Sequence, residues 1–94
     1  MTEFVLIIHD VADYPAWKQV FDDAATLRRD AGEISFQVLS DQSRPDRIVH
    51  FSRWSSTKAA RAFFESPRLV EIRKQAGVHA PEFIYLSERD AGLL

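Results

Sequence analysis

The order in which strand-like and helix-like stretches follow one another constrains this chain more than any single residue does. Phe4-Val5-Leu6-Ile7-Ile8 is an apolar run of strand length, apolar on both faces as a central strand requires. Pro15, with Asp13 and Tyr14 before it, opens a helix, because a first-turn proline gives up an N–H that has no partner there. Trp17, Val20, Phe21, Ala24, Leu27 and Ala31 recur at spacings of three and four. Lys18, Asp22, Asp23, Arg29 and Asp30 fall mostly on the other side. The spacing predicts one amphipathic helix of about four turns, ended by Gly32 as a left-handed cap.

The pattern then changes period. Ile34, Phe36 and Val38 alternate with Ser35 and Gln37, which is the period of two of a strand. Asp41-Gln42-Ser43-Arg44-Pro45-Asp46 is a turn by composition, and Ile48 to Trp54 is a third strand. Ser55, Ser56 or Thr57 can cap the next helix, whose buried side would be Ala59, Ala62, Phe63 and Leu69. Ser66-Pro67 repeats the pairing of cap and first-turn proline, so this helix should bend or restart there before stopping near Gly77. Phe83-Ile84-Tyr85-Leu86 is the closing strand.

Strand-helix-strand-strand-helix-strand with right-handed crossovers defines an α+β class. The expected fold is a ferredoxin-like βαββαβ arrangement: a four-stranded antiparallel sheet, strands one and three central, two helices on one face. The other face would carry Phe4, Leu6 and Ile8 or their alternates. A monomer would leave several hundred Å² of apolar surface in water on that side. Two sheets packed face to face about a two-fold axis remove it, so a homodimer through the open sheet face is expected.

Composition bounds the partners. A chain of 94 residues makes one domain, taken as residues 1–94, with a modest core. A net charge of -2 argues against a nucleic-acid surface, which would carry a basic stripe. No window approaches the ~18 apolar residues of a membrane span. The acidic Met1-Thr2-Glu3-Phe4 start lacks the basic region of a signal peptide. The absence of cysteine removes disulfides, thiolate nucleophiles and Cys-rich metal sites together. A cytoplasmic location is the default expectation.

A resemblance adds to this pattern. His9-Asp10-Val11-Ala12-Asp13-Tyr14-Pro15-Ala16-Trp17-Lys18-Gln19-Val20-Phe21-Asp22 resembles the first strand-to-helix passage of the dimeric α+β barrel proteins, the antibiotic-biosynthesis-monooxygenase-like or cyclase-like small proteins. Arg28-Arg29-Asp30-Ala31-Gly32 is similar to that family's helix end. Phe51-Ser52-Arg53-Trp54 with Lys58-Ala59-Ala60-Arg61-Ala62-Phe63 is similar to its third strand and second helix. The resemblance covers nearly the whole chain and implies a pocket between helices and sheet in each subunit. One branch of the family degrades haem with a histidine and a tryptophan on the second helix. Phe64 and Arg73 stand at those places here, which argues against haem. No cofactor and no metal are expected.

Three histidines are the candidates for chemistry: His9 ending the first strand, His50 in the third and His79 in the loop before the fourth. Antiparallel order can bring all three toward one end of the sheet. His9 and His50 are the expected catalytic pair, as general acid or base near neutral pH, with Tyr85 or Tyr14 as hydrogen-bond donor. Trp54, Tyr85, His79 and Arg53 are the expected substrate-binding residues. Trp17 has core spacing to Val20, Phe21 and Ala24. Arg28, Arg53, Arg61 and Arg73 are surface charges by default, although one facing the cleft can bind an anionic substrate. The histidine spacings match no zinc motif, and Asp22 and Asp23 point apart on their helix.

Two functions follow. One is a cofactor-independent monooxygenase or cyclase-like enzyme acting on a small hydrophobic, aromatic (polyketide-like) molecule, in which a histidine accepts a proton and hydrogen bonds stabilise an enolate. The alternative is a non-catalytic small-ligand-binding or stress-associated homodimer using the same cleft.

Overall fold

The computed structural model describes residues 2–94. Along them run β1 (Glu3–Val11), α1 (Tyr14–Asp23), α2 (Ala25–Ala31), β2 (Glu33–Asp41), β3 (Arg44–Trp54), α3 (Thr57–Phe64), α4 (Pro67–Gln75) and β4 (Val78–Ser87). The strands make one four-stranded antiparallel sheet in the order β2-β3-β1-β4. β1 and β3 are thus central, and the helices share one face, which is the ferredoxin-like α+β arrangement the segment order predicts.

Side-chain parity separates the two faces. Val5, Ile7, His9 and Val11 of β1 and Ile48, His50, Ser52 and Trp54 of β3 are buried toward the helices. Around Val5, Ile7 and Trp54 pack Ala60 and Phe64 of α3. Around Val11 and Ile48 pack Trp17 and Phe21 of α1, with Ala76 just beyond α4. The alternate residues make the open face. Leu6 lies opposite Phe51 and Ile84, and Phe4 lies opposite Arg53 and Leu86. The rings of Phe4 and Phe51 stack there at 5.1 Å.

Each expected helix is divided in two. The break in the second follows from its sequence: Ser66 Oγ accepts from the Leu69 N–H and donates to the Phe63 carbonyl, ending one helix and capping the next. The break in the first was not expected. At Ala24 the chain leaves helical geometry, with φ −89° and ψ 3°. The Arg28 guanidinium donates to the carbonyl of Phe21, which a continuous helix would engage with a backbone N–H.

Other boundaries also differ. The expected turn at residues 41–46 narrows to Gln42-Ser43, because Asp41 accepts from both the N–H and the hydroxyl of Ser43 and closes the hairpin. β3 therefore begins at Arg44. β4 begins at Val78, so His79 lies in a strand rather than in a loop. On α3 the buried residues are Ala60 and Phe64, one position on from the expected Ala59 and Phe63, and Ala62 is exposed. In β2 the register shifts between Glu33 and Ser35. This bulge leaves Ile34 exposed and turns Glu33 toward the helices.

Candidate functional site

Between the sheet and the helices lies a cavity of about 70 Å³. Trp17, Phe21, Phe63, Phe64, Ile72 and Phe83 form much of its apolar wall, and His9, His50, Arg28 and Arg73 are its polar lining residues. Parity and register explain why the two histidines meet. His50 pairs with Ile7 and His9 with Ile48, so the imidazoles occupy diagonal positions on the buried face of the two central strands.

His9 is 6% exposed, and both its ring nitrogens are buried without a hydrogen-bond partner. Its ring lies 5.4 Å from that of Trp17. Burial pushes its pKa down to about 4, and the charges of His50 and Arg73 act in the same direction against a smaller opposing effect of Asp10. The imidazole is therefore neutral at neutral pH. It offers one N–H and one lone pair inside an apolar chamber.

His50 is held differently. Its Nε2 lies 2.8 Å from Glu33 Oε2, and Glu33 Oε1 accepts from Arg28 Nε at 2.8 Å. All three side chains are buried. Burial alone would raise the Glu33 carboxyl, but the hydrogen bonds and charges of His50 and Arg28 outweigh it and hold the group below its ordinary value. The guanidinium also lies over the Phe21 ring at 3.7 Å. Phe21 and Phe64 meet the His50 ring edge-on, with centroids 4.9 and 6.4 Å away.

Arg73 is the remaining charge. Its guanidinium donates to the Phe64 carbonyl at 2.9 Å and forms no ion pair among the described residues. Burial pulls it below its ordinary pKa, with an opposing effect from Tyr85. The cavity thus combines a neutral imidazole, a carboxylate-anchored imidazole and a partly buried cation. Such a set can accept a proton from a weakly acidic hydroxyl and stabilise the anion left behind. Among the described residues no group of three or more histidine or carboxylate side chains is placed to hold a metal ion.

The structure brings together His9 and His50 with two of the four named arginines, Arg28 and Arg73, and places Trp54, Tyr85, His79 and Arg53 outside the cavity lining. Trp54 is core: its indole N–H donates to Ser52 Oγ at 2.8 Å, and its ring packs on Phe63 and Phe64. Tyr85 is partly buried beneath the Arg61 guanidinium at 4.1 Å, and burial raises its phenol pKa. His79 is exposed on β4, in register with Asp10. Arg53 is exposed on the open face, opposite Phe4. Trp17, Phe21 and Phe63 wall the space without filling it.

Of the two residues that carry the site's electrostatics, Glu33 was not anticipated, and Arg28 was expected as a surface charge by default, one of four arginines with a possible place at the cleft. Arg28 was legible in principle, since positions 17, 21, 24 and 28 continue one helical stripe at spacings of four, three and four. The apolar Leu27 was the more obvious member of that stripe. Glu33 reaches the buried face only through the bulge, which no residue pattern announces.

No curated protein sequence matches the chain. Solved structures do, at low identity. SnoaB, a cofactor-independent oxygenase from Streptomyces nogalater, is 15% identical with a TM-score of 0.74, over 96% of this chain and 94% of its own. Rv0793 from Mycobacterium tuberculosis is 19% identical with a TM-score of 0.66, over 97% of this chain and 99% of its own. At such identities these likenesses speak for the fold. The sequence profile of the antibiotic biosynthesis monooxygenase family matches residues 14–75, from the first helix through the fourth, and the chain belongs to that family.

Proposed function

We propose that the protein is a cofactor-independent oxygenase of small hydrophobic, aromatic (polyketide-like) molecules that carry an acidic phenol or enol. The observation that carries this is His9, a neutral imidazole with both nitrogens unpartnered in an apolar cavity beside a second, carboxylate-anchored imidazole. A buried polar group without a partner calls for a ligand that supplies one.

In this scheme His50 takes the proton of the activated substrate, and His9 donates to or accepts from a ring oxygen. Arg73 stabilises the enolate or phenolate. The electron-rich anion passes electrons to dioxygen. For a ring CH₂ the balance is CH₂ + O₂ → C=O + H₂O, with one oxygen atom retained and the other leaving as water. A cyclase-like reaction would begin with the same proton abstraction and draw on the same residues. Neither uses a resident cofactor.

A cavity of about 70 Å³ is smaller than the roughly 300–1,000 Å³ of sites that enclose a drug-sized ligand. A ring system must therefore part the partly exposed side chains of the wall, Phe63, Ile72 and Arg73. Among the described residues the lining holds no tyrosine to donate to a substrate oxygen, which favours the second reading, a non-catalytic ligand-binding or stress-associated dimer. In either case we propose a homodimer through the open sheet face, where Phe4, Leu6, Ile8, Val49, Phe51, Ile84 and Leu86 lie on three adjacent strands.

Dissolved-oxygen uptake with a panel of quinols and polyketide aromatics tests the oxygenase. Uptake that falls at least 100-fold in His50→Ala and His9→Ala supports it. Binding of these compounds, seen as quenching of tryptophan fluorescence, without oxygen uptake or solvent deuterium exchange would leave the binding protein instead.

A further inference from the structure

Two irregularities, the helix break at Ala24 and the bulge after Glu33, serve one group of atoms. The break at Ala24 frees the Phe21 carbonyl for the Arg28 guanidinium. The bulge at Ile34 turns Glu33 to the buried face. Between them stands Gly32 at φ +127°, where a Cβ would come within 2.5 Å of Ser55 Oγ. Together these features bring Arg28 and Glu33 into contact and aim the second carboxylate oxygen at His50 Nε2.

A buried ion pair of this kind carries a large desolvation cost, and a well-packed apolar pair is often at least as stable. Its presence beside a cavity histidine therefore points to a role other than stability. An ionised carboxylate is acceptor-only, so Nε2 must be the donating nitrogen of His50, and in the neutral form of the ring the lone pair sits on Nδ1. The charged and titratable groups facing His50 are Glu33 from β2, Arg28 from α2, His9 from β1 and Arg73 from α4.

We propose that Glu33, clamped by Arg28, is the positioning residue that fixes His50 in the Nε2–H tautomer and so makes Nδ1 the proton acceptor of the site. The proposal rests on His50 acting as the base. The substrate proton passes to Nδ1, and the resulting imidazolium keeps its Nε2–H on Glu33, whose charge stabilises it. Glu33 does not line the cavity, and Arg28, which does, acts in this step through Glu33.

The test is the tautomer of His50, read from its ring ¹⁵N shifts in uniformly labelled protein at neutral pH. The wild-type protein should show the proton on Nε2. In Glu33→Gln, Arg28 retains the amide oxygen, the NH₂ donates toward Nε2, and the proton should move to Nδ1. Glu33→Asp should restore the Nε2–H form. Oxygen uptake should follow, with kcat in Glu33→Gln down on the order of 10²-fold or more, KM little changed and partial recovery in Glu33→Asp. A wild-type His50 protonated on Nδ1, or an unchanged tautomer in a Glu33→Gln protein that still melts cooperatively, overturns the proposal. If Glu33→Gln does not fold, the wild-type and Glu33→Asp spectra decide. Loss of uptake in His50→Ala with an unmoved tautomer in Glu33→Gln sinks the relay and spares the oxygenase. An inverted tautomer with uptake indifferent to His50→Ala does the reverse.

Discussion

Replacing His9 with leucine should make the protein more stable, and by an amount that grows as the pH falls. At neutral pH the substitution removes two buried nitrogens that lack partners, each of a kind worth about 1–3 kcal/mol when left unsatisfied. The acid dependence comes from linkage. His9 has a pKa of about 4 in the folded protein, against an ordinary 6.5, because its protonated form would be buried. The unfolded chain binds that proton more readily, so stability drops as pH falls below 6.5 and continues dropping until about 4. The 2.5-unit difference corresponds to about 3 kcal/mol in full, of which about 2 kcal/mol is gone by pH 5. Urea unfolding of wild type and His9→Leu at equal protein concentration, followed through the fluorescence of Trp17 and Trp54 at pH 7.5 and pH 5, isolates the effect. Other titrating groups are common to both proteins and cancel in the difference. The gap in unfolding free energy should widen by about 2 kcal/mol at the lower pH. A gap that stays constant would mean that His9 titrates normally and that its burial is wrongly understood.

Other substitutions probe the remaining features. Arg28→Met leaves Glu33 a buried charge without its cation and should cost about 3–5 kcal/mol in urea unfolding at neutral pH. A loss below about 1 kcal/mol would mean that water reaches the carboxylate. Gly32→Ala should lower the melting temperature through both its positive φ and its contact with Ser55 Oγ. Adding Ser55→Ala should recover part of the loss and no more, since the backbone strain persists. Leu6→Glu or Phe51→Glu on the open face should convert a dimer to a monomer by light scattering at micromolar concentration, and a wild-type protein already monomeric there would refute the assembly.

How much of this was legible beforehand varies with the physics of each element. The five-residue run Phe4–Ile8 and the stretch Ile48–Trp54 carry their strand identity in apolar runs of strand length, and β1 and β3 emerged central. Ser66-Pro67 also declared its helix restart, because capping is local chemistry written in adjacent residues. Two features escaped for a shared reason. The division of α1 from α2 and the bulge before Ser35 accompany side-chain contacts of Arg28, with the Phe21 carbonyl and with Glu33, that no hydrophobic period encodes. A period-two pattern places Glu33 with Ser35 and Gln37 on one face, whereas the bulge puts it on the opposite one. The pocket histidines were legible as candidates because both fall on strands, although β1 shifts register against β4 at His9. Trp54, taken as a substrate-binding residue, is instead occupied by core packing and the Ser52 hydroxyl.

The same parity divides the work of the central strands. In β1 the odd positions Val5, Ile7, His9 and Val11 build core and cavity, and the even positions Phe4, Leu6 and Ile8 build the open face. In β3 the roles are reversed, with His50 and Trp54 inside and Val49 and Phe51 outside. Because both sets share one backbone, separation of assembly from site chemistry is a quantitative expectation. Phe51→Glu leaves the hydrogen bonds of His50, Glu33 and Arg28 in place, so the His50 tautomer should be the same in monomer and dimer. Glu33→Gln changes the tautomer and leaves the apolar open face as it is, so its mass in solution should be that of wild type. A tautomer that shifts on dissociation would show that the sheet transmits assembly to the site, and the two faces would then have to be treated as one cooperative unit.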